Sequence, residues 1–161
     1  MVEDWEFLFD LCGYIHIPNA LTPEEVEAAN RAVDNHLHEL SPKDQTAGPR
    51  REDLRHMLGW EGTDRAPFAN MLAHRKLVPY LNVICGRGFR MDHAPTLITQ
   101  QQGAPAGNLH GSSGPGFDTN QYYLWKNGQM HNGLVVVAFQ LVDHAAGAGG
   151  LAVVPGSVRV A

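Results

Sequence analysis

The chain has 161 residues, 43% of them hydrophobic, which suits one globular domain over residues 1–161 with a core of its own. A formal net charge of -5, with the basic residues scattered apart from Arg50 and Arg51, argues against a nucleic-acid-binding face. No apolar run approaches the roughly 20 residues of a membrane span, the N-terminus lacks the basic start of a secretory signal, and Cys12 and Cys85 show no CxxC spacing, so the expectation is a cytoplasmic protein with two reduced thiols.

Residues 13–18 (Gly-Tyr-Ile-His-Ile-Pro) alternate as a short strand does. Thr22, Pro23 and Glu25 form a helix start, with a side-chain cap, proline in the first turn and a capping box. Val26, Ala29, Val33, Leu37 and Leu40 continue it at helical spacing until Ser41-Pro42 stops it. Within that helix His36 and His38 are two apart, so they should point to different sides and not share a metal. Residues 41–56 are polar and read as a long loop, either a plain connection or a cover for a ligand. From Pro67, the apolar positions Phe68, Met71 and Leu72, then Leu77, Tyr80, Leu81 and Ile84, predict one broken helix or two short ones ending at Gly86.

Residues 89–99 read as extended, with Pro95 marking an edge or bend. Residues 100–107 carry turn chemistry, Asn108 to His110 starts a new short strand, and residues 111–116 are a glycine-rich loop. Residues 121–125 suggest a strand leading into a hairpin turn at Asn127-Gly128, and His131 reads as a turn residue. The β-branched run 134–142 predicts a buried strand; the glycine-rich turn 145–150 and the short run 151–154, stopped by Pro155-Gly156, complete a hairpin. Helices followed by several short strands predict an α+β fold, an antiparallel sandwich or barrel of jelly-roll type with the N-terminal helices packed outside.

Of the nine histidines, His110 draws attention because it ends a short apolar run and opens into the glycine-rich loop, where a side chain can face a cavity. Taken alone, it reads equally as a satisfied or exposed histidine. Its surroundings add more. Gly13-Tyr14-Ile15-His16-Ile17-Pro18 followed by Leu21-Thr22-Pro23-Glu24-Glu25-Val26, the Leu109-His110-Gly111 step, and the 134–143 run with Gly149-Gly150-Leu151 through Pro155-Gly156-Ser157 stand in the order found in one family. In these features the chain resembles the phytanoyl-CoA dioxygenases, which are iron(II)/2-oxoglutarate enzymes. The resemblance covers nearly the whole chain, and its second half is the more specific.

The resemblance implies a double-stranded β-helix, the cupin-like jelly roll, whose mouth holds Fe(II) through two histidines and a carboxylate and leaves positions open for 2-oxoglutarate and oxygen. It implies His110 as first iron ligand and hydroxylation of an unactivated C–H bond in a small organic substrate. Ser112 stands where the family has its carboxylate; Asp118 from the following loop, water, or a halide as in related halogenases are the alternatives for the missing anion. The family's second histidine and the basic partner of 2-oxoglutarate follow the Pro-Gly-Ser loop, where this sequence has Val158 and then ends at Ala161. The resemblance therefore implies a chain lacking its C-terminal strands, with an incomplete sheet, inactive as these 161 residues alone.

It also implies a cosubstrate contact for Phe139, and the polar Thr99, Arg90 and His93, on the extended run before the His110 segment, are candidates to reach 2-oxoglutarate. Read from the residues, Phe139 fits a core position more readily, with Gln140 on the other side of its strand, while surface polarity explains Thr99, Arg90 and His93 as well. Asp143-His144 reads as a solvated loop pair and Trp125 as a cap on the core. Two other readings remain open: a jelly-roll binding module without catalysis, and a cupin-type metal protein of different chemistry, although no cupin-like cluster of histidines is present.

Overall fold

The computed structural model describes residues 3–43, 48–111 and 120–159. Its first element is a helix that the sequence reading missed, α1 (Trp5–Cys12), closed by Gly13 in the left-handed region at φ 81°. Trp5 and Phe9, one turn apart, are its buried residues. Residues 14–18 form no strand; Ile15 and Ile17 nonetheless turn inward, so the alternation survives in an extended segment without a ladder.

Helix α2 (Pro23–Asn35) starts as expected. Thr22 accepts from the Glu25 backbone N–H at 3.2 Å, and the Glu25 carboxylate accepts from the Thr22 N–H at 2.8 Å. Thr22→Ala should cost about 1 kcal/mol of stability, measured by urea unfolding, because it leaves an N-terminal donor unpaired. The backbone hydrogen bond from Thr22 is the main reason that the Glu25 carboxyl lies below its ordinary pKa. Its stabilising contribution is thus present above the ordinary carboxylate range and disappears as pH falls through the lowered value. On acidification below about pH 4 the melting temperature should fall, and less so in Glu25→Gln.

The end of α2 differs from expectation. The α-helix stops at Asn35 and a 3-10 turn, Leu37–Glu39, follows. This tighter winding changes where the last side chains point. Residues 41–56 are also more than a loop, for they contain β1 (Ser41–Pro42) and β2 (Arg51–Leu54). Strand β2 is central in an antiparallel sheet of order β1-β2-β3, where β3 is Leu97–Gln100. Its charged sequence hid it: Asp53 is buried, with Arg55 at 3.0 Å and Lys43 at 3.6 Å supplying the counter-charge.

Two short helices, α3 (Ala66–Leu72) and α4 (Val78–Ile84), occupy the stretch where one broken helix or two were expected. Strands β4 (Tyr123–Lys126) and β5 (Gln129–Asn132) form a hairpin around Asn127 and Gly128, both at positive φ, as the type I′ turn requires. His131 is a strand residue opposite Leu124, not a turn residue.

One core gathers Ala29, Ala32 and Val33 of α2, Leu54 of β2, and Met57, Trp60 and Phe68. A second gathers Trp5, Phe9, Tyr80, Ile84 and Met130. Cys12 and Cys85 are free and half-buried, and burial pushes the Cys85 thiol up.

The run 134–142 does not ladder with 151–154, and neither is a strand among the described residues. Residues 134–142 are an irregular strap whose alternation of burial breaks at Val137, 43% exposed. Val135, Phe139 and Leu141 turn inward, while Val136 and Val142 are 78% and 62% exposed. Asn30 on α2 donates to the Leu141 carbonyl at 2.8 Å, and the Gly156 N–H reaches the Cys12 carbonyl at 2.9 Å. The apolar pattern that predicted a buried strand is therefore satisfied on one face only. The architecture is α+β with two small antiparallel sheets. No helix of the described residues is long and apolar enough to cross a membrane.

Candidate functional site

Strand β3 ends at Gln100, and a turn held by the Ala104 N–H on the Gln101 carbonyl, 3.0 Å, carries the chain toward His110. The Arg51 guanidinium lies against Gly107, where a side chain would collide with it. Residues 108–110 do not make the expected strand; they are irregular, and His110 is exposed. Its Nδ1 is 2.9 Å from the Asn108 carbonyl oxygen. A carbonyl only accepts, so this bond requires the proton on Nδ1 and leaves the Nε2 lone pair available. Metal-ligating histidines are commonly set up in this way, with the second nitrogen tied to a backbone acceptor.

The other expected site residues are dispersed. Thr99, opposite Glu52 in the sheet, directs its hydroxyl to the Glu52 carbonyl at 3.5 Å, so its polarity serves the β2–β3 pair. Arg90 is exposed in the irregular stretch after α4. Phe139 is half-buried, its ring edge-on to His74 with centroids 6.3 Å apart, and Gln140 faces the other way. His93 is exposed and paired with Asp92 at 2.8 Å. Asp118 and Ser112 lie outside the described residues. Among those described, no hydrogen bond, ion pair or ring contact joins His110, Thr99, Arg90 and Phe139.

The described residues do not assemble a full ligand set for iron around His110. Their one group of three potential ligands is His36, His38 and Glu39, on the turn after α2. Among the described residues, His110 leaves its Nε2 available but belongs to no group of three potential ligands.

A second feature was not visible in the sequence. His74, between α3 and α4, is buried, and neither ring nitrogen has a hydrogen-bond partner among the described residues. It lines a cavity of about 260 Å³ together with Leu21, Glu25, Ala28, Ala66 and Met71. Glu25 Oε2 stands 3.8 Å from His74 Nε2. A buried imidazole with no hydrogen bond and only this long ionic contact costs free energy, and a ligand or water offering one donor or acceptor would recover part of it. The space is slightly below the about 300–1,000 Å³ usual for small-molecule pockets, so it suits a small ligand. No spacing rule marks His74, because its burial comes from Phe139, 65 positions later in the chain, and from the α2–α3 packing.

Comparison with known proteins gives one positive finding: the family model described as phytanoyl-CoA dioxygenase matches residues 9–159. Neither the search of curated proteins nor that of solved structures found a match. The matched stretch begins within α1, includes His110 and the strap 134–142, and ends in the final 3-10 turn, Ser157–Arg159. With nearly all of its length accounted for in this way, the chain belongs to the phytanoyl-CoA dioxygenase family.

Proposed function

We propose that the protein acts as an iron(II)/2-oxoglutarate-dependent oxygenase that hydroxylates an unactivated C–H bond of a small organic substrate, with His110 as a metal ligand. The observation that carries this reading is family membership over residues 9–159, a stretch that contains His110. The Nδ1 contact to the Asn108 carbonyl adds support, since it leaves Nε2 as the ligating atom. Dioxygen would be the oxidant, and bound ferrous ion with 2-oxoglutarate would supply the electrons that activate it. Phe139, Thr99 and Arg90 are the cosubstrate contacts in this reading, and Asp118, water or a halide takes the place of the carboxylate lost at Ser112.

The same reading makes the domain a cupin-like jelly roll, which membership of the family supports. The two free cysteines suit the reducing cytoplasm, which we take as its compartment. The test is 2-oxoglutarate binding by the protein at its natural length, followed by calorimetry with and without Fe(II) under anaerobic conditions. Binding that requires Fe(II) is expected; binding that ignores the metal would contradict the proposal.

One observation favours a second reading, a binding module without catalysis: the half-open cavity that His74 lines lies between α2 and α3, and His110 is not among its lining residues. Metal-independent capture of a small polar ligand, lost in His74→Phe and kept in His110→Ala, would favour that module.

A further inference from the structure

The early end of α2 brings His38, which continued α-helix would have turned away, to His36 and Glu39, which i, i+3 spacing already places together. His36 caps the helix and His38 and Glu39 lie in the 3-10 turn, so the two imidazole rings stack, 6.0 Å between centroids and 25° between planes. One ligand atom from each of His36, His38 and Glu39 falls within 4.8 Å of the others. His36 Nδ1 is 2.7 Å from Glu39 Oε1, and His38 Nε2 is 4.0 Å from the same oxygen. Two ligands of a tetrahedral ion with bonds of about 2.0–2.1 Å stand roughly 3.3 Å apart. The three atoms, within 4.8 Å of one another, stand close to that spacing.

The surroundings prepare these ligands. His36 Nε2 is 3.2 Å from Asp64 Oδ2, and the Asn35 amide donates to the same carboxylate at 3.2 Å. A histidine whose Nε2–H donates to a carboxylate presents Nδ1 to a metal, the carboxylate–histidine–metal arrangement that fixes the tautomer and strengthens the ligand. Trp60 stacks on the His36 ring, 3.8 Å between centroids and 7° between planes, and fixes its plane. The Trp60 indole N–H donates to Glu39 Oε2 at 3.2 Å, which leaves Oε1 for coordination. Each of the two inner ligands is thus oriented by a neighbour, while His38, with 74% of its side chain exposed, closes the site from the solvent side.

We propose that His36, His38 and Glu39 bind one divalent transition-metal ion of the zinc type, with water in the fourth position. Two imidazoles and a carboxylate suit such a borderline ion better than Mg2+ or Ca2+, which take all-oxygen sites. This site is distinct from His110, which has no part in it. On binding, the ion replaces the proton or hydrogen bond at His36 Nδ1, while Nε2–H continues to donate to Asp64.

The test uses Co2+ as a spectroscopic probe and Zn2+ as competitor on the whole protein, with circular dichroism to verify each variant's fold. One equivalent of Co2+ should give tetrahedral visible absorption that Zn2+ abolishes. His38→Ala, an exposed and structurally undemanding change, should remove that absorption. Asp64→Asn should weaken binding by about 10–100-fold, the usual effect of losing the outer partner of a ligating histidine. His110→Ala should leave it unchanged. The inference is overturned if no tetrahedral absorption forms, if it persists in folded His38→Ala, or if it is His110→Ala that abolishes it.

Discussion

Replacing Leu54 by alanine should destabilise the protein by about 2–5 kcal/mol, the range for deleting a fully buried leucine side chain. Leu54 is 0% exposed, and it is the innermost residue of β2, opposite Leu97 on β3. Its side chain sits in the core with Ala29 and Val33 of α2, Met57, Trp60 and Phe68. Closely packed neighbours relax only in part around the space that truncation leaves, so the loss exceeds the transfer of the removed atoms alone. Ile98, its neighbour along the same sheet, is 55% exposed and serves as the control. Ile98→Ala should change stability by no more than about 0.5 kcal/mol. Urea unfolding of both variants at one pH measures the contrast; equal losses would show that β2 does not hold the centre of the core.

His110→Ala should abolish iron-dependent turnover by the natural-length protein, whereas Ser112→Ala should change it little. His110 offers Nε2 as a ligand because Nδ1 is tied to the Asn108 carbonyl, and alanine offers nothing. A neutral serine hydroxyl is a weak ligand for Fe(II), so its removal takes little from the metal. Equal loss in the two variants would contradict the bystander role given to Ser112. Because His110 is exposed and packs into neither core, His110→Ala should keep its wild-type melting temperature, which separates a lost ligand from a lost fold.

Elements specified by local chemistry were legible in the sequence. The Thr22–Glu25 box, the Gly86 helix end and the Asn127-Gly128 turn each depend on a few adjacent residues, and each stands where the pattern put it. Elements specified by distant partners were not. Strand β2 reads as a polar loop until Lys43 and Arg55 neutralise Asp53 and β3 pairs with it. The run 134–142 reads as a buried strand on its own composition, yet a strand also needs hydrogen-bonding neighbours, and among the described residues it has none. Helix α1 was missed although Trp5 and Phe9 lie one turn apart and Gly13 supplies the end signal; both cues were present in a short, acidic segment.

The site divides in the same way. His110 could be picked out because its sequence neighbours resemble a family motif, and membership of that family is borne out over residues 9–159. His74 and the His36–His38–Glu39 group could not. The first is defined by packing against Phe139 and the cavity, and the second by a helix that ends at Asn35 instead of continuing to Leu40. Unbroken α-helix there would point the two imidazoles to different sides, and the change of winding stacks them.

The most direct test of the oxygenase reading is succinate formation from 2-oxoglutarate by the natural-length protein with Fe(II) and oxygen, compared between wild type and His110→Ala. Succinate that depends on Fe(II) and disappears in the variant is the predicted result. No succinate from folded, iron-supplied wild type, or equal amounts from both proteins, would contradict the assignment of His110 as the metal ligand of an oxygenase.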